Sequence, residues 1–471
     1  MRLTSQRATI AIVYVSAMFM SVLDTTIVTV ALPTIAHDFG ETATAAGIIQ
    51  IAYLTSLTVM LPVSGWLGDR IGGKRALLGS IALFTLGSAL CGMAPSLTYL
   101  VVFSIVQGVG GAIMLPVGLA ILFRVYPPHE RVRLSATLAL VTALGPALGP
   151  ILGGVFTTYA SWRLIFFVNV PLGLAVVAWG TLHLEAHRQP HPGRLDVAGL
   201  ALAALGLGAL VLGVSEGPAR GCSDPLVLGA LIVGALALVA LVPVERRSAN
   251  PLIALRLFRN RLFTTATSLY GLASVAYIGG LYLIAVYLQN GLGASALVSG
   301  LTSVASALGI IVGGQLVSRV LYPRFGPRRI LAAGLALIAA SLVLVTLTTD
   351  LWWIRVDLFV LGLGVAGVFI PSQAISMATI PKTDTSNASP LFNAGKQLGS
   401  AIGVALTATV IALVAPFANT LQTASASLLP YHVAFLAAAC VAAASIAVAF
   451  AVHDSDARAT IVRRPAKRDE K

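Results

Sequence analysis

Two short segments of this chain share one residue order. Residues 65–75 read Gly-Trp-Leu-Gly-Asp-Arg-Ile-Gly-Gly-Lys-Arg, and both sides of this segment are long apolar runs. In the second half of the chain, residues 314–319 read Gly-Gln-Leu-Val-Ser-Arg and residues 326–329 read Gly-Pro-Arg-Arg. The shared order is Gly, three residues, Asp or Ser, Arg, then Gly, one residue, a basic residue and Arg. The repeat predicts two related halves, with a short insertion in the second copy.

The composition around these segments is that of a membrane protein. Of the 471 residues, 57% are hydrophobic and only 10% are charged, against about 25% charged in soluble domains. The mean hydropathy is +0.92. The 45 Gly and 23 Pro lie inside apolar runs, as they do in membrane helices. These values exclude a soluble enzyme, a disordered chain and a nucleic-acid-binding module.

Apolar runs long enough to cross a bilayer follow one another along the whole chain. A bilayer core of about 30 Å needs about 20 apolar residues per helix. The first run contains Asp24 and has no small-residue cleavage site, so we interpret it as an uncleaved helix rather than a signal peptide. The runs predict fourteen spans: 8–32, 45–66, 76–94, 97–123, 134–157, 163–184, 196–216, 225–244, 262–289, 296–318, 329–347, 352–378, 392–414 and 431–452.

The basic residues predict which ends of these spans are cytoplasmic. Of the 30 Lys and Arg, all but Arg163, Arg220 and Arg355 fall on one side of the predicted membrane, where we also place Lys382 and Lys396. Basic residues are retained on the cytoplasmic side. Both termini are therefore predicted inside, as an even number of crossings requires. The net charge of +13 is thus a topology signal, aided by anionic lipid, rather than a nucleic-acid footprint.

The spans and the repeat together predict an all-α integral membrane protein. Internal repeats around a site at the membrane midplane are a recurring transporter architecture. We expect two six-helix bundles plus two inserted transmembrane helices, fourteen helices in all. The predicted boundaries are 1–190 for the N-terminal bundle, 191–250 for the insert with its basic linkers, 251–455 for the C-terminal bundle and 456–471 for a basic cytoplasmic tail.

Several motifs give the chain a family resemblance. Residues 23–33 (Leu-Asp-Thr-Thr-Ile-Val-Thr-Val-Ala-Leu-Pro), 65–75, 145–154 (Gly-Pro-Ala-Leu-Gly-Pro-Ile-Leu-Gly-Gly), 162–173 (Trp-Arg-Leu-Ile-Phe-Phe-Val-Asn-Val-Pro-Leu-Gly) and 387–399 carry it. The chain resembles the major facilitator superfamily, and within it the fourteen-helix drug:proton antiporters. One position departs from the family pattern, because Ser104 stands where the fourth span usually has an Arg that takes part in proton coupling.

The resemblance implies a major facilitator fold and two functional motifs. The cytoplasmic gating motif would comprise Gly65, Asp69, Arg70, Gly72, Lys74 and Arg75, with Asp69 meeting a neighbouring helix N-terminus as a latch that opens and closes. The alternative is that these charges only determine the topology. The antiporter motif of the fifth span would comprise Gly145, Pro146, Gly149, Pro150, Gly153 and Gly154. Its glycines recur every four residues on one face and permit close packing, and its prolines bend the helix. We interpret this face as a seal between the bundles or as ordinary tight packing.

Asp24 is the strongest candidate for coupling. It lies a few residues outward of the middle of the first span, about 6 Å at 1.5 Å per residue. An ionised carboxylate at this depth costs at least ~2.5 kcal/mol, so such a group faces a cavity or a partner. Low dielectric disfavours the charged form of a carboxyl, while a cationic substrate favours it. Proton and substrate would then compete for one group, and this competition suffices to exchange them; the alternative is a structural Asp beside Thr25 and Thr26.

Other polar residues at membrane depth are weaker candidates. Asp357, near the outer end of the twelfth span, is either a second coupling site or a solvated interfacial charge. The residues that we expect to line the cavity are Thr25, Gln107, Asn393 and Gln397. Aromatic residues such as Tyr53, Tyr270, Tyr277 and Phe369 can stack on flat ligands, but in membrane helices they more often serve packing.

No cofactor or metal is expected. The spacing of His183, His187 and His191 by four suggests metal ligands, but Pro190 breaks the helix before the third. No phosphate-binding glycine loop with Lys and Ser or Thr is present, which argues against ATP as a direct energy source. The sequence also lacks the converging His, Cys or paired acids that an intramembrane enzyme needs.

The resulting prediction is a proton-coupled secondary transporter, not an enzyme. We expect it to export amphipathic or cationic small molecules, antibiotics included, by alternating access from the plasma (inner) membrane as a monomer. The alternatives are an exporter or symporter of one specific metabolite and, less favoured, an intramembrane enzyme or receptor.

Overall fold

The structure is a computed structural model of the 471-residue chain, and it describes residues 2–41, 46–185, 196–220, 224–248, 254–420 and 426–460. These residues form helices and connecting turns without a β-strand. Short 3₁₀ and π segments extend several helix ends. The α-helices are α1 Arg2–Phe39, α2 Ile48–Met60, α3 Val63–Ile71, α4 Gly73–Gly92, α5 Leu97–Val125, α6 Arg131–Tyr159, α7 Leu164–Phe167, α8 Asn169–His183, α9 Val197–Arg220, α10 Pro225–Arg247, α11 Arg261–Val286, α12 Ala296–Leu316, α13 Tyr322–Leu344, α14 Leu351–Ser376, α15 Thr385–Thr420 and α16 Leu429–Ala449.

The described helices give fewer separate spans than the fourteen that the sequence predicts. Ten stretches are long and apolar enough to cross a membrane, or eleven if one bent pair is counted as a span. One of the ten, Val298–Leu347, is 50 residues long and contains both α12 and α13. Within α9, the apolar part is the shorter helix Val197–Gly213. The prediction of a multi-pass all-α membrane protein is confirmed.

The predicted span 45–66 is a broken helix rather than a straight one. The axes of α2 and α3 differ by 60° across the break at Leu61 and Pro62. Proline has no backbone N–H and its ring clashes with the preceding turn, so it interrupts a helix. The bend directs α3 towards α15 and α5, which it contacts.

The helices associate in two groups and an inserted pair. In the N-terminal group, α1 packs along α6, α5 and α8, and α5 also packs against α4 and α2. In the C-terminal group, α11 packs against α15, α16 and α14, while α14 also packs against α12 and α13. The inserted pair consists of α9 and α10, which contact each other, and α9 reaches α2 and α15. The two groups meet where α6 contacts α12 and α14 and where α5 and α3 contact α15.

Glycines allow the helices of the C-terminal group to approach closely. A Cβ added at Gly279 would lie 2.6 Å from the carbonyl oxygen of Gly403, and one at Gly334 would lie 2.7 Å from that of Gly364. Between membrane helices lipid is as apolar as the side chains, so van der Waals packing through small residues drives association. The pairs α11–α15 and α13–α14 follow this rule.

The sequence repeat is reflected in the backbone. Gly72, between α3 and α4, has φ +89° and ψ 140°, and Gly326, at the kink inside α13, has φ +76° and ψ 171°. Residues other than glycine rarely adopt this combination. The repeated glycines therefore make the same turn in both halves of the chain.

Both ends of the described chain lie at one end of the molecule. Arg7 Nη1 is 3.4 Å from Glu130 Oε1, and the C-terminal turn Arg458–Thr460 contacts the turn Pro128–Glu130. The predicted even number of crossings requires this arrangement. We refer below to this region, which also contains Asp69, Arg124, Thr385 and Ser386, as the latch end.

Candidate functional site

The Asp24 carboxylate is buried inside the N-terminal group and bound by two amides. Its residue is 2% exposed. Gln107 Nε2 on α5 donates to Asp24 Oδ1 at 2.7 Å, and Asn169 Nδ2 on α8 donates to the same oxygen at 3.0 Å. The three helices α1, α5 and α8 thus converge on one carboxyl group, which does not point at the lipid-facing surface.

The position of Asn169 is fixed by the turn that precedes it. Trp162 Nε1 donates to Asp38 Oδ2 at 2.9 Å, and Arg163 Nη1 donates to the carbonyl of Ala94 at 2.8 Å. These contacts hold α7 and the start of α8 against the outer part of the N-terminal group. Asn169 also donates to Ser88 Oγ at 3.2 Å, which orients its amide. Gln107 is one of the residues predicted to line the cavity, whereas Asn169 is not among the predicted site residues.

The carboxylate of Asp24 has neutral partners rather than a permanent ion pair. Within the described part of the chain, no Lys, Arg or His nitrogen lies within salt-bridge distance of it. Ser104, at the position of the family Arg, is 1% exposed, and its Oγ lies 3.6 Å from Cys91 Sγ. Amide donors stabilise the ionised carboxylate without supplying a charge, so a proton can still bind there.

A small cavity adjoins this carboxylate. Its volume is about 10 Å³, about the room that one water needs. Thr25 and Gln107 are among its lining residues, and their expected role in lining a substrate cavity stays a prediction. The other lining residues are Asp24, Val28, Ile49, Gln50, Tyr53, Ser104 and Phe166.

Asp357 lies apart from Asp24, in the C-terminal group. It is 8% exposed, and Ser341 Oγ on α13 donates to its Oδ1 at 2.9 Å. Its neighbour in sequence, Arg355, instead donates through Nε to Thr302 Oγ1 at 3.4 Å. The structure therefore holds Asp357 in a helix contact and does not bring it to the Asp24 site.

The polar residues of α15 lie on its face towards the N-terminal group. Ser389 Oγ donates to the carbonyl of Pro116 on α5 at 2.8 Å. Asn393 Nδ2 bonds the carbonyl of Ser389 on its own helix at 2.9 Å, and Gln397 is half-buried one turn further on. Lys396, which the charge count placed on the cytoplasmic side, lies eleven residues beyond the start of α15, about 16 Å along the helix. It is therefore inside the candidate span Thr385–Phe417, and that placement is corrected.

The loop motif contacts the first turn of α15, and its role as a latch stays a prediction. Asp69 Oδ2 accepts from Ser386 Oγ at 2.8 Å, in the first turn of α15, where the helix dipole favours a negative charge. Arg124 Nη2 lies 3.6 Å from Asp69 Oδ1, and Arg124 Nε donates to Thr385 Oγ1 at 2.7 Å. Asp69 and Arg124 belong to the N-terminal group, whereas Thr385 and Ser386 belong to the C-terminal group.

The other residues of the loop motif have different environments. Gly65 leaves room for α15, because a Cβ on it would lie 2.5 Å from the carbonyl oxygen of Ser386. Lys74 Nζ donates to the carbonyl of Thr181 at 2.9 Å. This carbonyl lies at the C-terminal end of α8, where the helix dipole favours a positive charge. Arg70 and Arg75 are exposed.

The glycine face of α6 packs inside the N-terminal group, not between the two groups. A Cβ on Gly145 would lie 2.2 Å from Val22 Cγ1, and one on Gly149 would lie 2.3 Å from Thr26 Oγ1, both on α1. Gly153 meets Ile27 in the same way, while Gly154 has nothing within 4 Å. Tight packing is thus the interpretation that the contacts favour. The side chains of Pro146 and Pro150 lie outside the described residues.

An aromatic cluster occupies the C-terminal side of the space between the groups. The rings of Tyr270 and Phe369 stack with centroids 4.4 Å apart, and Phe392 meets Tyr270 edge-on at 4.7 Å. Tyr277 meets Phe369 edge-on at 5.9 Å. These aromatics pack against one another, which is the packing role that the sequence analysis weighed against ligand stacking.

A cavity much larger than the one at Asp24 lies elsewhere. It has a volume of about 490 Å³ and is bounded by the inserted pair on one side and by α11 and α15 on the other. Its lining is almost wholly apolar, with residues such as Leu207, Leu238 and Leu272. It opens beside the inserted pair rather than at Asp24.

The histidine spacing does not yield a metal site in the described residues. His183 stacks on Trp179 with ring centroids 4.0 Å apart, and His187 and His191 lie outside the described residues. Among the residues that the structure describes, no group of three His, Cys, Asp or Glu side chains could hold a metal ion.

A multi-pass helical protein with two contacting helix groups and an amide-bound carboxylate buried inside one of them has the features of a membrane transporter. A family model described as Major Facilitator Superfamily matches residues 14–404 and 282–469. The chain belongs to the major facilitator superfamily, and it is a transporter rather than an enzyme.

Named relatives within the family are bacterial. The chain is 33% identical over 452 residues, 95% of both chains, to the "Putative multidrug resistance protein MdtD" of Klebsiella pneumoniae (strain 342). It is 34% identical over 407 residues, 85% of this chain and 75% of the relative, to the "Multidrug resistance protein B homolog" of Mycobacterium tuberculosis (strain ATCC 25618 / H37Rv). The crystal structure of the human organic anion transporter MFSD10 (TETRAN) has the same fold, with a TM-score of 0.63, 16% identity, and coverage of 93% of this chain and 99% of that one.

Proposed function

We propose that this protein is a proton-coupled exporter of amphipathic or cationic small molecules. The observation that carries the proposal is the Asp24 carboxylate, which is buried at 2% exposure and, among the residues that the structure describes, is hydrogen-bonded by the neutral amides of Gln107 and Asn169. A carboxylate held by neutral donors in a low-dielectric site can take up a proton or pair with a cation, but not both. The names of its relatives, which refer to multidrug resistance, support the substrate class.

In the proposed cycle, Asp24 carries one proton inward for each substrate that leaves. The substrate enters the space between the two helix groups and favours the ionised carboxylate, so the proton departs. Contacts at the latch end, Asp69 with Ser386 and Arg124 with Thr385, then break and reform as the groups rock. Because each state is stabilised by a few such contacts, binding at Asp24 can shift the balance between them.

The proposed architecture completes this account. We propose fourteen crossings, with the 50-residue stretch Val298–Leu347 providing two of them and α6 and α9 two others. Two six-helix bundles, 1–190 and 251–455, would flank the insert 191–250. Both termini would be cytoplasmic, with the tail 456–471 facing anionic lipid. The protein would act as a monomer in the plasma (inner) membrane, since its central space is formed by one chain.

The test uses purified protein in vesicles that hold a pH-sensitive dye and an imposed pH gradient, acid inside. Ethidium serves as the probe substrate. Wild-type protein is expected to dissipate the gradient when ethidium is added, and Asp24→Asn is expected to lose this response while its thermal unfolding in detergent stays close to wild type. Asp456→Asn removes an exposed carboxylate and should respond as wild type does. Undiminished dissipation by Asp24→Asn would contradict the proposal.

A further inference from the structure

Lys396 is a basic residue inside the candidate membrane span Thr385–Phe417, and its side chain has no polar partner among the described residues. It is half-buried, and within the described residues its ammonium makes no hydrogen bond or ion pair. A cation at membrane depth is costly and normally faces a bundle interior, a water-filled cavity or a counter-charge. Helix packing alone gives no reason for such a residue here.

The helical register places Lys396 towards the N-terminal group. It follows Ser389 by seven positions, two turns, which returns to the same face of a helix. Ser389 on that face bonds the carbonyl of Pro116 on α5. Asn393 and Ser400 share this face by the same spacing, so a polar stripe runs along α15 opposite α5. The other side of α15, with Leu391, Ala394 and Leu398, borders the large apolar cavity.

The depth of Lys396 is close to that of the Asp24 site. Two turns beyond Ser389 is about 10 Å along α15. On the antiparallel helix α5, Gln107 lies nine residues from Pro116 in the same direction, about 13 Å. Lys396 and the carboxylate that Gln107 binds therefore lie within about one helical turn of the same depth. Their charged atoms do not form a salt bridge.

Lys396 thus faces the N-terminal group at about the depth at which Asp24 lies inside that group, and the two opposite charges do not neutralise each other. A ligand that is only cationic satisfies Asp24 and is repelled by Lys396. A ligand that also carries an acid satisfies both, because the ammonium offers three donors to a carboxylate and charge-assisted hydrogen bonds are the stronger ones.

We propose that Lys396 binds an acidic group of the transported molecule, so that amphipathic zwitterions are preferred to simple cations. This inference rests on the proposed export function and narrows its substrate class. Asp24 would keep its role in proton exchange, while Lys396 would select among substrates.

The test measures binding of two dyes with the same xanthylium ring system to purified protein by fluorescence polarisation. Rhodamine 110 has a free carboxylate, and rhodamine 123 is its methyl ester. Wild-type protein is expected to bind the free acid about tenfold more tightly than the ester, as a charge-assisted hydrogen bond allows. Lys396→Met should lose this preference and bind the cationic ester at least as tightly as wild type does, which also shows that it is folded. Lys396→Arg should retain the preference.

Several outcomes would overturn the inference. These are equal binding of the two dyes by wild type, failure of wild type to bind the free acid, an unchanged preference in Lys396→Met, and loss of both dyes in that variant. Asp24→Asn separates this inference from the proposed function. It should lose proton exchange in vesicles and still prefer the free acid. Retained proton exchange in Asp24→Asn would contradict the proposed role of Asp24 in coupling, whereas the role of Lys396 in binding the free acid would be unaffected.

Discussion

At the scale of single residues, the balance of energies around Asp24 explains how a carboxylate persists inside a membrane protein. Its ionised form costs at least ~2.5 kcal/mol at such depth. Each hydrogen bond to a charged group returns about 1.5–3 kcal/mol, and the Asp24 carboxylate accepts two. Two such hydrogen bonds together offset the minimum cost of burying the ionised carboxylate. A single hydrogen bond reaches that cost only at the upper end of its range.

This balance predicts that both amides, those of Gln107 and Asn169, are needed for transport. Gln107→Ala and Asn169→Ala should each lower ethidium-driven proton flux about 10- to 100-fold, because the ionised carboxylate loses a bond worth about 1.5–3 kcal/mol. Gln315→Ala, which removes an exposed amide on α12, should stay within about twofold of wild type. Vesicle assays at matched protein density provide the measurement. Full activity of Asn169→Ala would show that this residue is only a structural neighbour of Asp24.

The sequence predicted part of this site, and chain geometry explains what it missed. Asp24 and Gln107 are polar residues in the middle of long apolar runs, so their burial was readable. Asn169 begins α8 after the short α7, and its contact with Asp24 depends on how Trp162 and Arg163 anchor that turn. The sequence suggests that Lys382 and Lys396 both lie in the cytoplasmic loop and first turn before the thirteenth span. The helix α15 already begins at Thr385, so Lys396 lies about three turns inside it.

At the scale of helices, close contacts of small residues set the packing of α6 on α1. Gly149→Ala should lower stability by about 1–3 kcal/mol, the usual cost of overpacking, because its Cβ would lie 2.3 Å from Thr26 Oγ1 and 3.0 Å from the Thr26 backbone carbon. Thermal unfolding in detergent measures the effect. Gly154→Ala is the matched control on the same helix, since nothing lies within 4 Å of its Cβ. Equal melting temperatures for the two variants would contradict this packing account.

The turn between α3 and α4 makes a second prediction at this scale. Gly72→Ala should lower stability and impair transport, because φ +89° with ψ 140° is a conformation that costs other residues about 1–3 kcal/mol. Gly79→Ala on α4 has open space for its Cβ and should leave both properties unchanged. A Gly72→Ala protein with wild-type melting and flux would show that the turn tolerates a side chain.

The element boundaries show where periodicity alone was insufficient. Apolar length predicted 45–66 as one span, but Pro62 divides it into α2 and α3 with a 60° bend. The glycine spacing of α6 correctly indicated a close helix contact, yet spacing cannot identify the partner, which proved to be α1. Which helix lies opposite a face is decided by tertiary packing, and a single sequence records it only indirectly.

At the scale of the whole molecule, the two helix groups are in contact at the latch end. Asp69 and Arg124 bind Thr385 and Ser386 across the boundary. Arg131 Nη1 adds a bond to the carbonyl of Met377 at 2.7 Å. These contacts are polar and few, so alternating access can break them at modest cost. The repeat in the sequence predicted the two halves, and the shared turns at Gly72 and Gly326 agree with it.

Joining the groups at the latch end should arrest transport. In a background without native cysteines, Asp69→Cys combined with Ser386→Cys should form a disulfide on mild oxidation and abolish proton flux, and reductant should restore it. Asn260→Cys combined with Thr379→Cys joins two positions of the C-terminal group whose short side chains are hydrogen-bonded at 2.9 Å. That control should keep its flux under oxidation. Continued transport by the cross-linked Asp69 and Ser386 variant would contradict the rocking of the two groups.

The central claim is that Asp24 exchanges a proton for substrate, and proton counting tests it most directly. Purified protein is placed in a weakly buffered detergent solution at a pH at which about half of the Asp24 carboxyl groups carry a proton. Saturating substrate is then added while a pH indicator records the released protons. The account predicts release from wild-type protein of up to about one proton per chain, the capacity of one carboxyl group, and none from Asp24→Asn. Equal proton release from both proteins would contradict it.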